Sequence, residues 1–260
     1  MFKEKERPIL YFAGCTALYR QTEIAHATVK IMRSAGIDLT IMNEEVCCGS
    51  VFFRTGFIDL AKELAVKNIA KIRETGAKTL LTSCAGCYQM LKSDYASFIE
   101  GELVDFEVEI FHIVQLLSRL IESRDLKFTA EGGAGAEAGA RSELKVKVSY
   151  HDPCHLGRGC EIYEEPRKIL EQIPDIELVE MEWIKDKSYC CGSGAGLRAL
   201  SEGLAVSVAR RRLDDAVNKG AEVIVSACPF CKHNLSDSAM KYGIKIDVKD
   251  ITEIVAERIL

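Results

Sequence analysis

The sequence predicts an α/β protein made of two tandem repeats, each a mostly parallel sheet with helices on both faces. Short β-branched or apolar runs alternate with longer segments of 3.6-residue hydrophobic period, the order from which parallel sheets are built. Four cysteine landmarks recur at offsets of 139, 143, 144 and 144 residues (Cys15/Cys154, Cys47/Cys190, Cys84/Cys228, Cys87/Cys231), steadier spacing than chance provides. Between the copies lies Thr129–Glu143, in which nine of fifteen residues are Gly or Ala. Such a segment has few side chains to bury and reads as a flexible linker. The expected division is therefore 1–128, a linker over 129–143, and 144–260.

In the first repeat a strand over Ile9–Ala13 runs into Cys15, followed by a helical pattern over Gln21–Ala35 and a strand over Leu39–Met42. Cys47-Cys48-Gly49 comes next, then a long amphipathic helix over Phe57–Thr75 and the strand Thr79–Thr82, which ends at Cys84-Ala85-Gly86-Cys87. A helix over Tyr88–Ile99, the run Glu107–Phe111 and a helix reaching Glu122 complete it. The second repeat keeps this order. Val146–Tyr150 leads to Cys154, a helix covers Glu164–Gln172, and Glu177–Met181 precedes Cys190-Cys191-Gly192. A helix over Leu197–Lys219 and the strand Glu222–Ser226 lead to Cys228-Pro229-Phe230-Cys231, and a helix, the run Lys245–Val248 and a last helix close the chain. Each half reads as a Rossmann-like α/β repeat with a parallel sheet. The cysteines fall after strand ends and before helices, where open α/β sheets form ligand sites and helix N-termini favour anionic groups.

Bulk composition excludes several classes. With 34 Lys and Arg against 39 Asp and Glu, the net charge is −5 and the signs are mixed, so no basic stripe for nucleic acid appears. No apolar run approaches the roughly 18 residues of a membrane helix. The opening MFKEKERPILYFAGC lacks the apolar core of a signal peptide. A cytoplasmic protein, or one brought to a membrane through a partner subunit, is expected. Two glycine-rich stretches imitate nucleotide motifs. Gly133-x-Gly135-x-x-Ala138 has no amphipathic helix after it, and Gly192-x-Gly194-x-Gly196 is followed by no Gly-Lys-Ser/Thr. Gly49, Gly192 and Gly194 are instead expected to let backbone pass close to a bulky bound centre.

Eleven cysteines are a large excess for such a chain, and ten of them form the two five-cysteine sets. A structural zinc site closes with four ligands, and common iron–sulfur clusters also take four cysteines. Five per repeat is one too many for either, and adjacent side chains such as Cys47 and Cys48 diverge too much to suit one small ion. A multinuclear iron–sulfur body accommodates the pair more easily than zinc does. Cys160 is left over and is expected to be a passive thiol near the Gly157-x-Gly159 turn.

The double pattern, with the segments YFAGCTALYR, VCCGSVFFRTG, YHDPCHLGRG and YCCGSGAG, resembles the cysteine-rich CCG family, which includes catalytic subunits of heterodisulfide reductase. The resemblance covers the whole chain outside the linker. It implies one non-cubane [4Fe-4S] cluster per repeat, held by Cys15, Cys47, Cys48, Cys84 and Cys87 and by Cys154, Cys190, Cys191, Cys228 and Cys231. It also implies reductive cleavage of a small disulfide, or oxidation of thiols, in a cavity that both clusters face. The chain has no ferredoxin-type cysteine run and no flavin or nicotinamide motif, so a ferredoxin-like or flavin/iron–sulfur partner must exchange its electrons. The alternative is an electron-transfer subunit of a lactate, glycolate, glycerol 3-phosphate or succinate dehydrogenase complex; a zinc or scaffold protein is a third reading.

His151 and His155 flank Cys154 and are the expected proton donors, because disulfide cleavage consumes protons and histidine titrates in the right range. Packing beside the cluster is the competing role. His26, His112 and His233 are expected to be structural. The charged stretches Lys62–Arg73 and Arg210–Arg212 are expected to be solvated helix faces.

Overall fold

The computed structural model describes residues 9–99, 106–129 and 145–259, so the glycine/alanine-rich segment lies outside the described residues apart from Thr129. The first repeat contains β1 (Ile9–Phe12), α1 (Cys15–Tyr19), α2 (Thr22–Ser34), β2 (Leu39–Ile41), α3 (Ser50–Arg54), α4 (Ile58–Glu74), β3 (Thr79–Thr82), α5 (Ala85–Gln89), β4 (Glu109–His112) and α6 (Ile113–Glu122). The second contains β5 (Val146–His151), α7 (Gly157–Cys160), α8 (Glu164–Glu171), β6 (Ile176–Leu178), α9 (Leu197–Leu200), α10 (Glu202–Asn218), β7 (Val223–Ser226), α11 (Pro229–Tyr242), β8 (Asp247–Asp250) and α12 (Ile251–Ala256).

Each repeat forms a four-stranded, wholly parallel sheet, in the orders β2-β1-β3-β4 and β6-β5-β7-β8. The inner strands are apolar runs because helices cover both their faces. Leu10, Tyr11, Phe12, Leu80 and Leu81 are buried in one sheet, and Val148, Tyr150, Ile224 and Val225 in the other. Strand order reverses between β1 and β3, and between β5 and β7, which opens a crevice at their carboxyl ends. Cys15, Cys84, Cys154 and Cys228 each follow one of those four strand ends.

Three predicted elements come out differently. The long helix expected over Leu197–Lys219 is broken at Ser201, whose hydroxyl accepts from the Leu204 N–H and starts α10 as a fresh cap. The helix expected from Tyr88 widens after α5 into a π turn, Met90–Asp94, followed by a 3₁₀ turn. That wider turn carries Tyr95 inward, where its hydroxyl donates to the Cys48 carbonyl (3.0 Å). Arg212, expected on a solvated face, is fully buried. Its Nη1 pairs with Asp215 at 3.0 Å and its Nη2 meets the Met181 sulfur, so the guanidinium crosses the packing rather than reaching water.

The repeats dock on each other reciprocally. Helix α6, which follows the last strand of the first repeat, packs on α8 of the second, while α12, its counterpart, packs on α2. A lysine bridges each contact: Lys168 reaches Glu122 (3.4 Å) and Lys30 donates to the Ala256 carbonyl (2.6 Å). Five aliphatic side chains of α6 (Ile113, Val114, Leu116, Leu117, Leu120) are buried between its own sheet and this neighbour. Full burial of such a side chain is worth roughly 1.5–3 kcal/mol, shared here between the helix's own sheet and the docking contact. Phe128 and Ile259 also pair as an antiparallel bridge, joining the ends of the two repeats.

Candidate metal centre

The first cysteine of each repeat leaves its strand through a different backbone solution. Gly14 takes φ +82°, and a Cβ there would stand 2.8 Å from the Cys87 sulfur, so the turn before Cys15 needs glycine. The Ala13 and Gly14 N–H groups donate to the two carboxylate oxygens of Glu45 (2.9 and 2.6 Å). Burial lifts the Glu45 pKa to about 7, opposed by those two hydrogen bonds. The second repeat has Asp152-Pro153 at these places. Proline offers no N–H to satisfy, and the position matching Glu45 is Ser188. The Asp152 carboxylate turns to Arg167 (2.8 and 3.0 Å) and to the Lys185 N–H (2.8 Å).

The adjacent cysteine pairs sit on matching turns. Gly49 and Gly192 adopt φ +83° and +81°, and their N–H groups donate to the sulfurs of Cys47 (3.4 Å) and Cys190 (3.3 Å). A Cβ on Gly192 would lie 2.7 Å from the Ala205 carbonyl oxygen. Side chains hold the outer edge of each turn. Asn68 donates to the Cys47 carbonyl (3.1 Å), and Asn234 to those of Cys191 (2.6 Å) and Ala205 (2.9 Å).

Cys84 and Cys228 occupy the N-caps of α5 and α11, the latter with Pro229 in its first turn. From there the thiols form one continuous run. Cys15 meets Cys47 at 3.9 Å, and hydrogen bonds continue through Cys48 and Cys87 to Cys84. Cys84 meets Cys228 of the other repeat, and the run continues through Cys231, Cys191 and Cys190 to Cys154. Hydrogen bonds from neighbouring thiols push Cys48 and Cys228 well below the ordinary thiol range, and the same contacts push Cys84, Cys87 and Cys231 well above it. A cation bound among the sulfurs would take them as thiolates and release those protons. All ten cysteines line a single cavity of about 700 Å³ counted to its open mouth, and no carboxylate is among its lining residues. All eleven thiols are free. A donor set dominated by sulfur, with backbone N–H groups aimed at two of the sulfurs, fits a thiolate-bound polynuclear centre better than a hard cation.

The family model of the cysteine-rich CCG domain matches residues 9–92 and again 148–236. The chain belongs to the CCG family. One component of the dihydromethanophenazine:CoB–CoM heterodisulfide reductase of Methanosarcina acetivorans is 41% identical over 96% of this chain and 58% of its own length. A component of the fumarate reductase (CoM/CoB) of Methanothermobacter marburgensis is 31% identical over 94% of this chain and 45% of its own length. The probable iron-sulfur-binding oxidoreductase FadF of Bacillus subtilis is 32% identical, over 98% and 34%. The chain thus spans about half the length of the curated relatives it matches. Among solved structures, Picrophilus torridus aspartate racemase aligns over 96% of this chain and 91% of its own at 10% identity, with a TM-score of 0.42, too loosely to bear on function.

Within this CCG architecture the remaining candidate residues take distinct places. His155 lines the cavity against Gly86, whose lack of a side chain leaves room for the ring. Burial, with Arg54 nearby, lowers the His155 pKa. His151 is fully buried and is not a cavity-lining residue; one of its ring nitrogens and the sulfurs of Cys191 and Cys231 all lie within 4.8 Å of one another. Burial pulls its pKa down to about 4. Gly194 lines the cavity, while Gly49 and Gly192 shape the turns behind it. Cys160 is half-buried in α7 away from the cavity, and burial pushes it up to about 11. His112 caps α6, with its Nδ1 accepting from the Val114 N–H, and His233 stands against the Gln21 amide. No helix among the described residues is long and apolar enough to cross a membrane. The supporting residues Gly14, Glu45, Asn68, Tyr95 and Asn234 went unread in the sequence. Only Gly14, directly before a cysteine at a strand end, carried a local signal.

Proposed function

We propose that the chain is an iron–sulfur oxidoreductase module whose two repeats, 1–128 and 144–260 joined by 129–143, hold two non-cubane [4Fe-4S] clusters. At these it cleaves a disulfide or forms one from two thiols. The observation that carries this reading is the single cavity lined by all ten cysteines, with the sulfur run crossing between repeats at Cys84 and Cys228. The ligands are Cys15, Cys47, Cys48, Cys84 and Cys87 at one site and Cys154, Cys190, Cys191, Cys228 and Cys231 at the other. When bound, the clusters supply the electrons and an iron-facing position for each sulfur of the substrate. A ferredoxin-like or flavin/iron–sulfur partner delivers those electrons. The heterodisulfide reductase named among the relatives supports the substrate class.

The chain's own residues shape the rest. Gly194, with nothing within 4 Å of where a side chain would begin, leaves free space for a substrate, and Val51, Pro153 and Phe230 add an apolar lining beside the sulfurs. Cleavage of one disulfide takes two electrons and two protons and releases two thiols. His155 lines the cavity and holds a neutral ring at neutral pH, so it accepts a proton when thiols are oxidised and returns it on cleavage. His151 has no such access, and its place is behind the sulfurs.

Anaerobically purified protein is expected to contain about eight irons and matching labile sulfide per chain, the content of two four-iron clusters. Stoichiometric zinc with little iron would overturn the reading. Replacing His155 with Gln is expected to lower disulfide turnover about 10²-fold with iron content unchanged. An EPR signal that appears only with a thiol substrate supports disulfide chemistry. Indifference to every thiol tried would favour the dehydrogenase-subunit role, to which the fumarate reductase relative points.

A further inference from the structure

The two repeats match in backbone, but not in the charge and polarity around their sulfurs. Among the equivalent positions that differ, three carry the inference. Three residues before the first cysteine stands Phe12 in one repeat and His151 in the other, paired in the same sheet register with Thr82 and Ser226. Sixteen residues before the C-x-x-C motif stand Asn68 and Arg212, and two before the adjacent pair stand Glu45 and Ser188.

All three differences act in one direction. His151 is fully buried, neither ring nitrogen has a hydrogen-bond partner, and the ring faces the sulfurs of Cys191 and Cys231. A buried imidazole without partners costs about 1–3 kcal/mol, so its N–H needs an acceptor that the polypeptide does not supply. The sulfurs of Cys191 and Cys231, which with one ring nitrogen all lie within 4.8 Å of one another, are acceptors that stand beside it. Phe12, its equivalent, can donate nothing. Arg212 brings a fully buried guanidinium into the second repeat, with Asp215 as its counter-ion (3.0 Å) and its Nε unpartnered, whereas Asn68 is neutral. Glu45 sets a half-buried carboxyl group beside the first site, where the second has a serine. Asp215 offsets part of the Arg212 charge, and Asp152 is matched by Arg167 at 2.8 Å, a guanidinium that also meets the one-third-exposed Glu180 at 2.6 Å. Hydrogen bonds to cluster thiolates and nearby positive charge favour the reduced, more negative form, and a nearby carboxylate disfavours it.

We propose that the second five-cysteine site has the higher reduction potential of the two, and that His151 sets it by donating its ring N–H to a cysteine sulfur there. The inference rests on the reading that both sites hold iron–sulfur clusters. A single electron entering the chain then settles on the second site. If it arrives at the first, that site is reoxidised by one electron as the second is reduced by one, and no covalent bond is made or broken. His151 is in this sense a positioning residue for electrons rather than a source of protons.

The test is a potentiometric titration of the anaerobic, iron-loaded full chain with dithionite, followed by EPR. The wild type is expected to reduce in two separated waves. Mutual repulsion would split even identical sites, so the response to His151 decides. His151→Phe, which copies the first repeat, is expected to lower only the upper wave, changing the reduced-to-oxidised ratio at fixed potential at least tenfold, about 59 mV for one electron. His151→Leu, which also lacks an N–H, should lower the same wave, and of His151→Asn and His151→Gln, whose amides stand near the places of Nδ1 and Nε2, at least one should restore most of it. A single unsplit wave in the wild type, or an upper wave indifferent to His151→Phe and His151→Leu, overturns the proposal while leaving the clusters in place. Failure of the wild-type chain to take up iron would overturn the cluster reading and this inference with it.

Discussion

Replacing Asp250 with asparagine isolates one buried titratable group at the contact between the repeats. Asp250 caps α12: its Oδ1 accepts from the Thr252 N–H (3.0 Å) and hydroxyl (2.8 Å), and Glu253 returns a bond to the Asp250 N–H (2.8 Å). Its Oδ2 is buried without a partner, and burial raises the pKa to about 8 against the pull of the Thr252 bonds. In the unfolded chain the group titrates near 4. Between those values the folded protein holds a proton that the unfolded chain has lost, so stability falls as pH rises through the window. The slope is at most about 1.4 kcal/mol per pH unit, which gives roughly 2–3 kcal/mol between pH 5.5 and 7.5. Asparagine preserves the accepting oxygen and cannot ionise. Urea unfolding of both proteins, prepared anaerobically, should therefore show the wild type losing about 2–3 kcal/mol relative to Asp250→Asn over that range. A wild-type-minus-variant difference that does not change with pH refutes the reasoning, because any fixed cost of the new amide cancels between the two conditions.

The turn glycines should respond unequally. Gly192→Ala, which drives a Cβ to 2.7 Å from the Ala205 carbonyl at positive φ, is expected to destabilise by about 2–4 kcal/mol and lower iron content. Gly194→Ala meets nothing within 4 Å and should leave melting temperature and iron content near wild type. Glu45→Ala strands two backbone donors and should cost about 2–4 kcal/mol in denaturant unfolding. Ser188→Ala, at the equivalent place, should cost under about 1 kcal/mol; equal losses at both positions would show that the clamp is not specific to the first repeat.

Strand–helix alternation and the paired cysteine sets were legible in the sequence because each depends on local pattern or fixed spacing. The inner strands are short continuous apolar runs, and the first cysteine and the C-x-x-C motif of each repeat sit where such a run stops. Support residues that act across the fold were not legible. Asn68 and Asn234 lie on helix faces where an asparagine has no local signature, and only tertiary placement aims them at the carbonyls behind the cysteine pairs. Arg212 sits in a run of three arginines that reads as a wet surface, yet the turn of α10 sends its side chain inward while Arg210 and Arg211 stay outside. The π turn after α5 answers the need of Tyr95 to reach Cys48, a demand made more than forty residues away.

The reciprocal docking of α6 on α8 and of α12 on α2 has the geometry of a two-fold dimer closed by a covalent tether. In a symmetric pair of identical subunits, any substitution near one sulfur set would appear at the other as well. Joining the copies in one polypeptide removes that constraint. His151 can then stand beside sulfur where Phe12, a ring with nothing to donate, holds the equivalent place, and each half can diverge in polarity while the interface that unites them stays the same. Fusion thus converts a surface shared by equals into a molecule with two distinguishable ends.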